Sequence, residues 1–175
     1  MSALATAEEA DIGEITVSVT SPAWSTCLPN AELLARGAVR AALAAACPDL
    51  GPAGVAVVLA DDRTVRGLNR DWRAKDAPTN VLSFPATDTA EGEIPSPVLA
   101  GMPLELGDVV LGCETCVAEA AAQHKELSHH VRHLIVHGVL HLLGYDHIAN
   151  DAAARMEGLE TRALATLGVP DPYET

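Results

Sequence analysis

Aromatic and basic side chains are both scarce in this sequence of 175 residues. Aromatic residues make up 3% of the chain, and 11 Lys and Arg face 24 Asp and Glu, which gives a formal net charge of −13. A folded core therefore has to be built mainly from Ala, Val and Leu. Strong acidity also disfavours broad, non-specific binding to nucleic acid, because the protein's field repels phosphate. Any function on nucleic acid would need a local basic patch.

The sequence also lacks the marks of an exported or membrane-spanning protein. Its first 13 residues include Glu8, Glu9 and Asp11 and have neither a basic segment nor an apolar one, so they do not form a signal peptide. No stretch approaches the ~18 uncharged apolar residues of a membrane span. We expect a cytoplasmic protein without a membrane partner. A chain of this length needs no disulfide framework, so we expect reduced thiols at the four cysteines, Cys27, Cys47, Cys113 and Cys116.

Strand and helix patterns alternate along the chain, which favours an α+β or α/β layer with about four strands. Apolar alternation and short apolar runs predict strands at 15–19, 55–60, 81–84 and 107–111. Helical periodicity and capping residues predict helices at about 30–47, 62–72, 114–125, 128–143 and 151–167.

The chain shows no internal repeat and no linker between domains. Residues 1–12 are expected to be a flexible acidic tail, 13–169 a single metallohydrolase domain, and 170–175 a second tail. Residues 86–104 contain three prolines and two glycines without periodicity, which predicts a long loop that is either functional or disordered.

Three histidines lie in a spacing that suits a metal ion. His137 and His141 are four residues apart, so on a helix they share one face. Gly144 can adopt the left-handed conformation that ends a helix and reverses the chain, which would return His147 to the same point. Three neutral imidazoles suit zinc and leave a position for water, as in catalytic sites. We therefore predict one zinc ion on these histidines. His133 and His137 form a weaker alternative pair, since no turn follows His133.

The same histidine spacing occurs in metzincin proteases, which carry a glutamate general base directly after the first histidine. Here that position is Gly138, which cannot transfer a proton. Glycine within a helix costs about 1 kcal/mol relative to alanine, so we expect either close approach of substrate or backbone there, or simply tight packing. Asp146 precedes His147 and either orients its imidazole or simply forms a turn.

Basic residues are concentrated in one short segment. Arg63, Arg66, Arg70, Arg73 and Lys75 account for five of the eleven Lys and Arg. On a continuous helix the four arginines share a face, which predicts a phosphate-binding surface. For Arg63 and Arg66, a solvated face paired with nearby acids is an equal alternative.

Several segments resemble the motifs of a known family, in its order and spacing. Residues 68–85 (LNRDWRAKDAPTNVLSFP) resemble the first signature of the YbeY family, and 106–111 (LGDVVL) match its strand motif. Residues 137–147 (HGVLHLLGYDH) match its metal motif, and 156–160 (MEGLE) resemble the stretch that follows it. The resemblance extends over about residues 55–168.

This resemblance implies a zinc-dependent, single-strand-specific endoribonuclease that acts in ribosomal RNA maturation and ribosome quality control. It implies an α+β fold with a small mixed sheet of about four strands, on which helices pack and where a helix and turn carry the metal site. It places the metal on His137, His141 and His147 and the family's functional arginine at Arg73. The expected partners are single-stranded rRNA and the ribosome or ribosome-associated proteins, and not DNA.

The residues leave the mechanism partly open. Arg73 would stabilise charge on the phosphate, while Arg70 and Lys75 would guide the RNA backbone. No residue is a clear general base, so attack by activated water and attack by the RNA 2′-hydroxyl both remain possible. The alternatives are another metallohydrolase, acting on peptides or small molecules, and a ribosome-associated binding protein with structural zinc.

Cys113 and Cys116 form a C-x-x-C pair whose thiols are either idle or used in redox or metal chemistry.

Overall fold

The computed structural model describes residues 14–97 and 99–174, so the predicted tail 1–12 lies outside the described residues. The strands are β1 (Ile15–Val19), β2 (Ala53–Ala60), β3 (Val81–Pro85) and β4 (Leu104–Gly112). The helices are α1 (Ala23–Cys27), α2 (Ala31–Ala46), α3 (Asp62–Arg73), α4 (Cys113–Ala122), α5 (Leu127–Leu142) and α6 (Asn150–Thr166). No helix in these two ranges is both long enough and apolar enough to cross a membrane.

The four strands form one mixed sheet in the order β1-β2-β4-β3. β2 pairs in parallel with β1 and with β4, whereas β3 pairs antiparallel to β4 and forms an edge of the sheet. Helices pack on this sheet, which confirms the predicted α+β fold.

Side-chain alternation along the strands gives the sheet two covered faces. Val57 and Val109 belong to the main core, which includes buried residues of α2, α5 and α6. Leu82 and Val110 point the other way and pack with Val65 of α3. The helices α3 and α5 therefore lie on opposite faces of the sheet.

Two of the differences from the predicted elements are explained by contacts in the structure. Strand β4 begins at Leu104, before the predicted residue 107, because Gly107 at φ +132° interrupts the side-chain alternation and the register shifts beside it. Helix α1 was not predicted, since five residues are too few to show periodicity. It is held by Trp24, which is fully buried and donates from Nε1 to the Ala60 carbonyl at 2.8 Å.

Candidate metal centre

Helix α5 brings two histidine side chains face to face. His137 and His141 are one turn apart on this helix, and their Nε2 atoms lie 3.0 Å from each other. Both side chains are half-buried. Their ring centroids are 4.6 Å apart. The two nitrogens thus point at one common location.

A turn after α5 returns the third histidine. Gly144 has φ +87°, and a Cβ at this position would lie 2.0 Å from the Thr89 carbonyl oxygen, so only glycine fits both the conformation and the close approach. The exposed His147 follows, and one ligand nitrogen from each of His137, His141 and His147 lies within 4.8 Å of the other two. The three imidazoles could therefore hold a metal ion.

Two acceptors fix the orientation of the helical imidazoles. His137 donates from Nδ1 to Glu160 Oε1 at 2.6 Å, and His141 donates from Nδ1 to the Tyr145 carbonyl at 2.9 Å. A carbonyl oxygen can only accept, so Nδ1 of His141 carries the proton. The Nε2 lone pairs are then available for a metal, in the arrangement that supports metal-bound histidines.

Glu160 is the centre of a buried network behind the histidines. It is fully buried on α6 and also accepts hydrogen bonds at Oε2 from His133 Nε2 at 3.1 Å and from the Tyr173 hydroxyl. Burial alone would raise the pKa of Glu160, but the hydrogen bonds from His133, His137 and Tyr173 outweigh it and lower the pKa to about 2. The carboxylate is therefore ionised at neutral pH. Tyr173 lies in the segment predicted as the second tail and here contacts α5 and α6.

The donor set fits zinc. Burial, with the neighbouring His137 and His147 imidazoles, lowers the pKa of His141 to about 4. A neutral imidazole at physiological pH can offer its lone pair to a cation without first losing a proton. Three histidine nitrogens, one backed by an ionised carboxylate, are a donor set typical of zinc sites with an open position.

Gly138 lies where helix α5, which carries His137 and His141, contacts the sheet. A Cβ here would lie 2.7 Å from Val109 Cγ1 and 3.1 Å from Ser83 Oγ, and Ser83 Oγ donates to the Gly138 carbonyl at 2.9 Å. The glycine is thus required by tight packing of α5 on β3 and β4. Of the explanations given for this glycine, tight packing is the one that the geometry supports.

The predicted basic face is on α3 and is exposed. Arg66 forms a two-bond ion pair with Asp76, at 2.8 and 3.1 Å, and Arg70 pairs with Asp71 at 2.9 Å. Arg73 is the last residue of the helix, and Lys75 follows just beyond it. Neither Arg73 nor Lys75 forms an ion pair with any residue in 14–97 or 99–174. Arg63 likewise forms no ion pair in these ranges, so the unpaired cations of this face are readier for phosphate than Arg66 and Arg70.

Helix α3, which ends at Arg73, and helix α5, which carries His137 and His141, pack on opposite faces of the sheet. Trp72, next to Arg73, contacts Phe84 near the C-terminal end of β3, with ring centroids 6.1 Å apart. Thr89 follows that end of the strand and lies against Gly144 beside the histidine cluster. The structure thus brings three of the predicted site residues into one cluster and places Arg73 across the sheet from them.

Known proteins are similar to this chain over most of its length. A family model described as "Endoribonuclease YbeY" matches residues 29–168. The chain belongs to the YbeY family. The residues of this match include both the basic segment of α3 and the three histidines.

Curated members of the YbeY family are similar along nearly the whole chain. A protein named "Endoribonuclease YbeY" from Paramagnetospirillum magneticum is 55% identical over 91% of this chain and 95% of its own length. Another of the same name, from Azorhizobium caulinodans, is 48% identical over 91% of this chain and 96% of its own. Among solved structures, the solution structure of TM1509 from Thermotoga maritima has a TM-score of 0.50 at 20% identity, and the match covers 93% of this chain and 100% of that one. This last likeness concerns the fold alone.

Sequence reasoning missed the buried residues that lie behind the three histidines. Glu160 and Tyr173 had no predicted role, although one signal was available: Glu160 lies on the apolar face of α6 with Met156 and Leu159, and a lone acid there indicates a buried, paired carboxylate. Asp146, predicted as a possible support of His147, is exposed and accepts from the Ile148 backbone amide at 3.1 Å, as a turn residue does. Its role towards His147 stays a prediction.

The cysteine pair outside the YbeY motifs is poorly suited to thiolate chemistry. Cys113 and Cys116 are both buried, and Cys113 Sγ lies 3.6 Å from Cys27 Sγ. Burial and the Cys27 thiol raise the pKa of Cys113 to about 12, and burial also raises the pKa of Cys116. Thiols with raised pKa values are weak nucleophiles and weak metal ligands. The geometry favours idle, buried thiols.

Proposed function

We propose that this protein is a zinc-dependent endoribonuclease that cleaves single-stranded RNA, and that it acts in ribosomal RNA maturation and ribosome quality control. The single observation that carries the proposal is the convergence of three imidazoles, two of which have their Nδ1 atoms hydrogen-bonded to acceptors, in a member of the YbeY family. The relatives named as endoribonucleases support RNA as the substrate. The ribosome, or proteins bound to it, and a cytoplasmic location belong to the same proposal.

The protein's own residues have three roles in this proposal. His137, His141 and His147 hold the zinc ion, and Glu160 keeps the imidazole of His137 oriented. When bound, zinc supplies Lewis-acid activation of water and of the phosphate. Arg73 neutralises charge that develops on the phosphate during cleavage. Lys75 and Arg70 guide the flanking backbone, with Arg70 less available because it is paired with Asp71.

The nature of the attacking group can be read from the RNA ends. Glu160 accepts three hydrogen bonds and is fully buried, so it is not free to take a proton from substrate or water. Attack by the RNA 2′-hydroxyl would leave a 2′,3′-cyclic phosphate on one product. Attack by water would leave a terminal phosphate without the cyclic form. Mass spectrometry of the products distinguishes the two.

The decisive experiment compares cleavage of a labelled single-stranded RNA by the zinc-loaded protein and by its His141→Ala variant. Loss of cleavage in this variant, with retention in His124→Ala as a matched control for an exposed histidine outside the cluster, is the expected result. Equal cleavage by wild type and His141→Ala would identify a contaminating nuclease or a different site. Zinc binding without cleavage by wild type would instead favour a structural zinc in a binding protein. Cleavage of peptides but not RNA would favour the other class of metallohydrolase.

A further inference from the structure

The few aromatic residues of this chain include one that is unusually exposed. The chain has two tryptophans, of which Trp24 is fully buried and Trp72 is 73% exposed. Large aromatic side chains normally bury most of their area, because that area dominates their contribution to a core. Trp72 meets Phe84 at an interplanar angle of 65°, an edge-on contact that leaves most of the indole open to solvent. Its exposure is therefore unexplained by packing.

Trp72 lines an open groove of about 860 Å³ on the α3 side of the sheet. Part of the lining is apolar: besides Trp72 and Phe84 it includes Leu68, Val58 and Val110. Drug-sized ligands and single bases fit within volumes of this order. The groove thus offers aromatic and aliphatic surface to a flat, partly apolar group.

The charges around the groove are divided. Glu105 and Asp108 of β4 line it and are exposed, so they disfavour a phosphate within it. Arg73 and Lys75 follow Trp72 in sequence and have no ion-pair partner in the ranges that the structure describes. A nucleotide would therefore be bound with its phosphate at the cations and its base in the groove.

We infer that Trp72 and Phe84 form a stacking subsite for an unpaired nucleobase of the RNA substrate, next to the phosphate contacts of Arg73. This inference rests on the proposed function. Aromatic platforms of this kind hold single strands without reading their sequence, because every base has a π face. A base in a duplex has both faces covered by its neighbours, so the subsite selects single strands. The carboxylates of Glu105 and Asp108 can only accept hydrogen bonds, which favours bases with amino groups over uracil.

The two tryptophans allow a direct test by intrinsic fluorescence. The zinc-loaded protein is titrated with a short 2′-O-methyl oligoadenylate, which resists cleavage through the 2′-oxygen, and in parallel with an abasic strand of the same length. We expect the oligoadenylate to quench the exposed Trp72 and not the buried Trp24, and the abasic strand to bind more weakly without quenching. Because substitution of Trp72 removes the reporting fluorophore, the affinities of all variants are measured by the fluorescence anisotropy of a labelled oligoadenylate. In Trp72→Ala the affinity should fall about fivefold to hundredfold, and in Trp72→Phe, which keeps a ring, much less. Leu33→Ala, at an exposed apolar residue of α2, is the matched control and should bind as wild type does.

The results test the base-stacking subsite and the proposed nuclease activity separately. If Trp72→Ala bound the oligoadenylate as tightly as wild type does, or if the abasic strand quenched Trp72 as strongly as the oligoadenylate does, the subsite would be refuted. Neither result would bear on whether the protein cleaves RNA. Quenching of Trp72 in wild type together with weaker binding by Trp72→Ala, in a protein that cleaves no RNA, would refute the nuclease and keep the subsite as a binding site for single strands. Equal affinity for oligouridylate would remove the role given to Glu105 and Asp108.

Discussion

Replacing Glu160 with glutamine tests whether the buried carboxylate supports the metal site. The glutamate receives hydrogen bonds from His137, His133 and Tyr173. Glutamine has almost the same shape, but it has one acceptor oxygen and a donor group in place of the second oxygen. Its amide nitrogen would therefore face at least one of these donors. Loss of the negative charge also makes the Nε2 lone pair of His137 less basic towards a cation.

The expected effect on metal binding is large enough to measure. Loss of a carboxylate that supports a metal-bound histidine typically weakens affinity about 10- to 100-fold, which corresponds to about 1.4–2.8 kcal/mol. Competition with a chromophoric chelator reports the dissociation constant for zinc. The metal-free variant is also expected to lose about 1–3 kcal/mol of unfolding free energy, because buried donors lose their acceptor. A urea titration of the metal-free protein measures that loss separately, so that affinity is compared between folded proteins.

Two control variants make the result specific to Glu160. Glu157→Gln makes the same charge change at an exposed position of the same helix, and its zinc affinity should equal that of wild type. His133→Ala removes another partner of Glu160 but leaves the bond to His137, so its zinc affinity should fall less than that of Glu160→Gln. Wild-type zinc affinity in a folded Glu160→Gln protein would refute the view that this carboxylate supports the site.

Three further predictions concern other parts of the site. Arg73→Ala should lower kcat/KM for RNA cleavage about 10²-fold or more in steady-state kinetics, because it removes a group that stabilises developing charge. Arg40→Ala, at an exposed position of α2, is the control and should change kcat/KM little. Equal effects of the two substitutions would contradict a specific role for Arg73. Gly138→Ala should destabilise the protein by about 1–3 kcal/mol in urea denaturation, because its Cβ overlaps the sheet. A Cβ at position 158 would lie in open space, so Gly158→Ala should instead stabilise the protein by up to about 1 kcal/mol through α6. If both substitutions changed the unfolding free energy in the same direction, the packing argument for Gly138 would be refuted. Gly144→Ala should weaken zinc binding, because the positive φ and the Thr89 carbonyl both oppose a side chain at this position. Chelator competition measures the affinity, and an unchanged affinity would show that zinc binding does not depend on this turn.

The clustering of the three histidines was predictable from the sequence because these residues are close together along the chain. His137 and His141 are one helical turn apart, and Gly144 returns the chain within the next few residues, so spacing alone implies their approach. Glu160 and Tyr173 reach the same place only through the packing of α6 and the C-terminal segment on α5. No local pattern encodes that packing, so their roles required the structure.

The fold shows a similar division between local and long-range information. The strands at 15–19 and 81–84 were predicted closely, because apolar residues and flanking prolines set their limits. The start of β4 depends on its partner β2, where the register shifts between Gly54 and Val55. Helix α1 depends on the bond from Trp24 to the end of β2. Both features are decided by contacts between distant segments, and the periodicity of apolar residues along the sequence gives no information about such contacts.

The packing of Gly138 also explains why a protease-like histidine spacing need not carry protease chemistry. A glutamate at this position would have to pass Val109 and Ser83, whose side chains already lie within 3.1 Å of the place where its Cβ would be. Helix α5 packs on the sheet through this residue, so a general base cannot be added there without separating the helix from β3 and β4. Proton transfer in any reaction at the three histidines therefore has to come from the substrate, from water or from another element. The same close contact that holds α5 on the sheet therefore excludes a glutamate general base at the position where metzincins carry one.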